Sequence, residues 1–206
     1  MRVVLKIGGS LMDCGRGVIG RLLKYSSESG TEIVIVPGGG VFADLVRSHS
    51  KELSEDTAHW MAIHAMDQYG LYLADGTTVE PLEDLTRIGE GTGTFILHSY
   101  VLLRQVDPLP HSWDVTSDTI AAWVAKELGA EFIKVTDVDG VFLDGSLLNK
   151  VPAEELIGKV TCMDKELPKF LIKERVNCTV VNGKYPDRMI DVMRGKEFIG
   201  TVVIGE

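Results

Sequence analysis

A lysine stands near the end of an apolar run and is followed closely by a glycine pair and a hydroxyl: Lys6-Ile7-Gly8-Gly9-Ser10 after Val3-Val4-Leu5. A second apolar run, Ile33-Val34-Ile35-Val36-Pro37, ends in Gly38-Gly39-Gly40. Glycine lets backbone N–H groups approach an anion closely, and a helix that follows aims the positive end of its dipole at the same place. Two such loops predict two phosphates brought face to face, with Lys6 between them. The lysine precedes its glycines, so it lies at a strand end rather than at the start of a helix. In that respect the segment departs from both the Walker A loop and the dinucleotide fingerprint. For either glycine run taken alone, an ordinary tight turn is the competing reading.

The elements that must position these residues follow from the pattern around them. Apolar runs rich in β-branched residues alternate with stretches of helical period, which predicts a three-layer α/β/α sandwich with a mainly parallel central sheet. Strands are predicted at 2–7, 32–36, 94–97, 132–136, 177–182 and 200–204. Helices are predicted at 16–29, 40–49, 54–74, 116–129, 165–174 and 186–194. Neighbouring strands would then bring both glycine loops to the crevice where open α/β sheets bind ligands. Trp60, Ile63, Met66 and Gly70 recur at helical spacing and read as a core stripe. Between Pro81 and His111 only the strand at 94–97 is assigned, and Asp107-Pro108-Leu109-Pro110 reads as a loop leading to the next helix.

The 206 residues, 45% hydrophobic and 25% charged, suit one domain spanning 1–206. A net charge of −9 argues against nucleic acid or a membrane surface as partner, so an anionic ligand must be held by a local cluster of donors. No apolar stretch approaches the roughly 20 residues of a membrane span, and the chain starts directly on a strand, so a cytoplasmic protein is expected. Cys14, Cys162 and Cys178 lack metal-ligand spacing and read as reduced thiols. No His/Cys/Asp cluster has the spacing of a tight metal site.

Two further segments complete a pattern: Asp114-Val115-Thr116-Ser117-Asp118-Thr119-Ile120-Ala121-Ala122 and Thr136-Asp137-Val138-Asp139-Gly140-Val141. In order, the four segments resemble those of the amino acid kinase superfamily: K-x-G-G-S, a triple-glycine loop, an aspartate followed by paired alanines, and T-D-V-x-G-V. The resemblance spans essentially the whole chain. Three more stretches are similar to those of the kinases that phosphorylate an aminomethylfuran methyl phosphate in methanofuran biosynthesis. They are Pro37 to Asp44, Ala58 to Ile63, and Leu167 to Leu171 leading to Val181-Asn182-Gly183-Lys184-Tyr185-Pro186.

The resemblance implies an ATP-dependent kinase that uses Mg2+ arriving with the nucleotide and takes a small-molecule phosphate as acceptor. Other acceptors remain open: isopentenyl phosphate, a nucleoside monophosphate or an amino-acid carboxylate. So does a non-catalytic nucleotide-binding or storage protein of the same fold. By analogy with many relatives, a homo-oligomer is expected. Lys6 would stabilise the transferring group, and Asp118 would orient the catalytic lysines. Gly8, Gly9, Ser10, Thr136, Asp137, Gly140, Val141 and Phe142 would line the nucleotide side. Gly38, Gly39 and Gly40 would hold the acceptor end.

Many relatives place another catalytic lysine after Thr-Gly-Gly-Met, where this chain reads Val160-Thr161-Cys162-Met163-Asp164-Lys165. Lys165 and Lys169 are the candidates, and Lys169 is preferred. On the acceptor side, Arg47 would grip a phosphate with its two-pronged guanidinium. His59 is a further candidate there, and His64 reads as structural. Trp113 would pack on an aromatic ring and Asp114 would receive a substrate ammonium, with capping of the helix near 116 as the alternative for Asp114. Asp137 and Asp139 also admit a turn reading.

Overall fold

The computed structural model describes residues 1–89 and 92–205. Strands β1 (Arg2–Ile7) and β2 (Glu32–Pro37) are buried along almost their whole length. Both faces of the sheet are covered there, so each strand reads as a continuous apolar run rather than an alternating one. The other strands are β3 (Glu80–Leu82), β4 (Thr94–Leu97), β5 (Glu131–Thr136), β6 (Phe142–Leu143), β7 (Ser146–Leu147), β8 (Lys150–Pro152), β9 (Cys178–Asn182) and β10 (Gly200–Ile204). The helices are α1 (Gly15–Ser29), α2 (Gly40–Ser48), α3 (Glu55–Ala74), α4 (Ser99–Val106), α5 (Ser117–Leu128), α6 (Leu167–Glu174) and α7 (Asp187–Met193).

Eight strands form one sheet in the order β3-β4-β2-β1-β5-β9-β10-β8, and every neighbouring pair is parallel except β9 with β10. The expected α/β/α sandwich with a mainly parallel sheet is the architecture observed. On one face, Val18, Ile19 and Leu22 of α1 and Met189 and Ile190 of α7 pack on Leu5, Ile7, Ile33 and Ile35. On the other, Leu102 of α4, Ile120 and Val124 of α5 and Leu171 of α6 pack on Val4, Val34, Val36 and Phe132. Helix α3 serves both cores, giving Ile63 and Met66 to the second and Tyr69 and Leu73 to the first.

Strand β1 has β2 on one side and β5 on the other. The chain leaves adjacent strands in opposite directions at that point, which opens a crevice at their carboxyl ends. Lys6, Gly38 and Thr136 all stand there.

The structure adds elements in the segment that the sequence left unassigned. β3 is a three-residue edge strand with Pro81 at its centre, a residue confined to edges because it cannot donate to a ladder. Helix α4 has no capping side chain of its own at its N-terminus; the Asp67 carboxylate of α3 accepts from the backbone N–H groups of Ser99 and Tyr100, at 2.6 and 3.2 Å. Asp144 and Gly145 form the two-residue turn of the β6–β7 hairpin, with φ of 49° and 79°.

Candidate active site

The two glycine loops meet. Gly38 N–H donates to Ile7 O at 2.8 Å, and Gly8 N–H donates to Val135 O at 2.9 Å, so the loop after β1 is held between the ends of β2 and β5. A Cβ on Gly9 would lie 2.3 Å from Gly40 Cα, an approach that only glycine permits. Gly40 itself has φ of 53°. After the triple glycine, α2 starts with no side-chain cap, which leaves its first N–H groups facing the crevice. After Gly8-Gly9 the helix expected at 16–29 follows at Gly15–Ser29. A single 3-10 turn over Gly9–Leu11 intervenes.

A cavity of about 480 Å³ opens at these loops. Its floor is Lys6, Gly9, Ser10 and Gly38 to Gly40, and its walls continue upward along one face of α3 through Met66, Ile63, Ala62, His59 and Glu55. Trp113, Val115 and Ile120 close the opposite side. The anion-binding floor and the walls, apolar at Ile63, Met66, Trp113 and Ile120 and polar at Arg47, Glu55 and His59, thus belong to one space.

Behind the floor, the Lys6 ammonium pairs with Asp118 Oδ1 at 2.8 Å. The same oxygen accepts from Lys134 Nζ at 2.5 Å, and Asp118 Oδ2 accepts from Asp164 N–H at 3.1 Å. Burial opposes the Asp118 charge, but Lys134 and Lys6 together hold its pKa well below the usual carboxylate range. Asp118 is therefore an ionised anchor for cations and a weak base. Lys134 was not among the sequence candidates. The signal for it was a single charge inside the apolar strand Phe132-Ile133-Lys134-Val135, in register with Lys6.

Asp164 was also missed. Its carboxylate accepts from Thr116 N–H and hydroxyl at 2.9 Å each, from Thr119 N–H and hydroxyl at 3.1 and 2.7 Å, and from Leu167 N–H at 2.8 Å. It thereby fixes the first turns of α5 and α6 together. Burial, with Asp118 nearby, raises its pKa.

The other expected residues divide into those the fold brings to the cavity and those it does not. Arg47 and His59 line it with Trp113, and the Arg47 guanidinium lies over the Trp113 ring at 4.8 Å. Arg47 is also paired with Asp44 at 2.8 Å. His59 stacks on His111 with ring centroids 4.0 Å apart, and burial pushes its pKa down to about 4. His64 stacks on Tyr100, a structural role. Asp114 is off the wall and pairs with the exposed Lys165 at 2.9 Å. It does not cap α5; Thr116 does, accepting from Asp118 N–H.

Lys169 lies on α6, paired with Glu166 one turn earlier and half exposed, on a groove with Pro108, Pro110 and Trp123. The structure therefore places Lys169 away from Lys6 and Asp118. The position beside Asp118 that a second lysine would take is filled by Lys134.

At the end of β5, Thr136 and Asp137 stand beside the β1 loop. Burial works against the Asp137 charge, yet hydrogen bonds led by that from Ser10 keep its pKa below the ordinary value. Gly140 packs against Thr201, whose hydroxyl accepts from Val141 N–H at 2.8 Å, and Phe142 is exposed on β6. Asp139 is structural, accepting from Asn182 and Arg188 at 2.9 and 2.6 Å.

A glycine-lined anion-binding floor and a strand-end lysine on a buried aspartate thus stand together at a switch-point crevice. Residues 1–180 match the model of the amino acid kinase family, and the chain belongs to that family of phosphotransferases. It is 37% identical to the [5-(aminomethyl)furan-3-yl]methyl phosphate kinase of Methanocaldococcus jannaschii, over 98% of this chain and 97% of that one. It is 28% identical to the acetylglutamate kinase of Vibrio cholerae serotype O1, over 97% and 95% of the two chains. The uridylate kinase of Archaeoglobus fulgidus shares the fold with a TM-score of 0.76 at 20% identity, over 98% of this chain and all of that one. Among the described residues, no helix is long and apolar enough to cross a membrane.

Proposed function

We propose that this chain transfers the γ-phosphoryl group of ATP to [5-(aminomethyl)furan-3-yl]methyl phosphate, giving the diphosphate. The observation that carries the reading is one cavity in which a glycine and lysine floor runs into a room lined by Ile63, Met66, Trp113 and Ile120 with Arg47, Glu55 and His59 among them. A phosphate monoester with a flat aromatic ring fits both parts. The full-length likeness to the furan phosphate kinase supports the same acceptor.

In this reading an oxygen of the acceptor phosphate attacks the γ-phosphorus while the bond to the β,γ-bridging oxygen breaks. The bridging oxygen leaves with the electron pair as part of ADP. The acceptor is already ionised, so no general base is required, consistent with an Asp118 that holds cations. Lys6 neutralises the charge of the group in transit, where such stabilisation counts most. Gly8, Gly9, Ser10, Thr136, Asp137 and Gly140 hold the nucleotide; Gly38 to Gly40, Arg47, His59 and Trp113 hold the acceptor.

The donors around the loops are backbone N–H groups, the Ser10 hydroxyl and ammonium groups rather than a carboxylate cage. They fit a Mg2+ ion carried in by ATP and held by phosphate oxygens and water. When bound, that ion supplies charge neutralisation. One group of possible metal ligands among the described residues, His59, Asp107 and His111, has its donor atoms within 4.8 Å of one another, and of the three His59 lines the cavity. A homo-oligomer belongs to the proposal as well, by analogy with the family, and size-exclusion chromatography with light scattering tests it.

The deciding experiment measures phosphoryl transfer from ATP, with and without Mg2+, to the furan phosphate, isopentenyl phosphate, UMP, aspartate, glutamate and acetylglutamate. Selective conversion of the furan phosphate is the expected outcome. Preference for another acceptor overturns the substrate, and ATP binding without any transfer overturns the activity.

A further inference from the structure

The sheet interior holds a charge that the proposed reaction leaves unexplained. Lys134 is 2% exposed in the middle of β5, beside Lys6 of β1, and does not reach the cavity that Lys6 lines. Burying an ammonium is costly, and a core position that only needs volume is better filled by an apolar residue. The groups that face Lys134 are Asp118 of α5, Lys6 of β1, Cys178 of β9 and Cys162 of the segment before α6. Burial raises the pKa of both thiols, so they are uncharged at neutral pH. Asp118 is the one anion in contact with Lys134; the Asp164 carboxylate lies behind Asp118, where the N–H and hydroxyl groups of Thr116 and Thr119 and the Leu167 N–H take it up.

A lone Lys6–Asp118 pair would be neutral, and Lys6 would meet the phosphates with its charge already cancelled. Two ammonium groups on one carboxylate leave the trio with a net positive charge. Of the two, only Lys6 can present it to the cavity.

We propose that Lys134 is a positioning residue for phosphoryl transfer: it neutralises Asp118 from the core side, so that the carboxylate aims Lys6 while Lys6 keeps its charge for the group in transit. This rests on the kinase reading. Burial, and to a lesser extent Lys134, pull the Lys6 pKa below its ordinary value against the opposing pull of Asp118. Asp118 is already ionised, and of the two ammonium groups only Lys6 lines the cavity, so the basic limb of the activity profile reports Lys6.

The test compares Lys134→Met, Lys134→Gln and Lys134→Arg with the unaltered protein. For each, kcat, both KM values and Tm are measured across pH. Lys134→Met is expected to lose kcat by on the order of 10-fold or more with little change in the KM for ATP. Its basic limb should move up by about one pH unit or more, because a like charge has left the neighbourhood of Lys6. Lys134→Arg should recover most of the loss. Loss of kcat that merely tracks the unfolded fraction, with an unmoved basic limb, overturns the proposal.

Titration of the Lys6 ammonium by nitrogen-15 NMR in the unaltered protein decides the matter if the variants do not fold. A midpoint at or above the ordinary lysine value refutes the coupling. If Lys6 titrates higher in Lys134→Gln or Lys134→Met than in the unaltered protein but no acceptor is phosphorylated, the kinase reading fails while the coupling of the two lysines stands.

Discussion

Replacing Gly9 by alanine tests whether the contact of the two glycine loops sets the geometry of transfer. The added Cβ would lie 2.3 Å from Gly40 Cα and 2.4 Å from Gly40 N, whereas ordinary contact starts at 3.4 Å. Both neighbours are backbone, so no side chain can swing aside, and the loops must part by about 1 Å. In the proposed reaction Gly9 serves the nucleotide and Gly40 the acceptor, so that separation would fall between the two reacting phosphates. A misplacement of this size costs about 100-fold in rate, or about 2.7 kcal/mol in the barrier. Overpacking of the loops would destabilise the fold by about 1–3 kcal/mol, a fall of several degrees in Tm.

The assay is steady-state phosphoryl transfer well below Tm, with Gly20→Ala as the control. Gly20 lies in α1 with nothing within 4 Å of its added Cβ, and the helix gains from alanine. Gly9→Ala enzyme that is folded and keeps kcat/KM within about threefold of the parent would refute the reasoning.

Lys6→Ala should bind ATP with modest loss and lose turnover by at least about 100-fold, since its charge matters most in the transition state; unchanged kcat removes it from the mechanism. Glu55 lines the cavity and has no hydrogen-bonded or ionic partner among the described residues. Glu55→Gln should therefore raise the KM for an aminomethyl acceptor more than for its hydroxymethyl analogue, while Asp114→Asn, which breaks only the exposed pair with Lys165, should move neither. Equal effects on both acceptors would exclude an ammonium contact at Glu55. His111 bonds Asp107 and Asp56 through its two ring nitrogens at 2.8 and 2.7 Å, which raises its pKa. A raised folded-state pKa stabilises fully below the unfolded value near 6.5 and ceases to do so above the folded value. The Tm gap between the parent and His111→Gln should thus be widest in mild acid and close as pH rises; a gap that widens in alkali would contradict the double bonding.

The sheet centre and its loops were legible because chemistry and burial coincide there. β1, β2 and β5 are covered on both faces, so their apolar runs end sharply, and the glycines that follow mark the approach of one backbone to another. The cavity floor was legible for the same reason. Local patterns could not announce α4, because its cap is Asp67, 32 residues earlier in the chain. Nor could they place the second lysine on Asp118. A motif offset pointed to the segment around Lys165 and Lys169, but α6 turns Lys169 outward to Glu166, and the buried partner came from a strand. Asp114 illustrates the same limit, since its partner Lys165 lies 51 residues away.

The Asp164 carboxylate makes α5 and α6 start from a single point, while its backbone N–H holds Asp118 Oδ2. The two helices are in effect spokes on one hub, and the hub is in direct contact with the aspartate that carries both ammonium groups. A single hydrogen bond therefore separates the chain just before α6 from Asp118, and one ion pair separates Asp118 from Lys6.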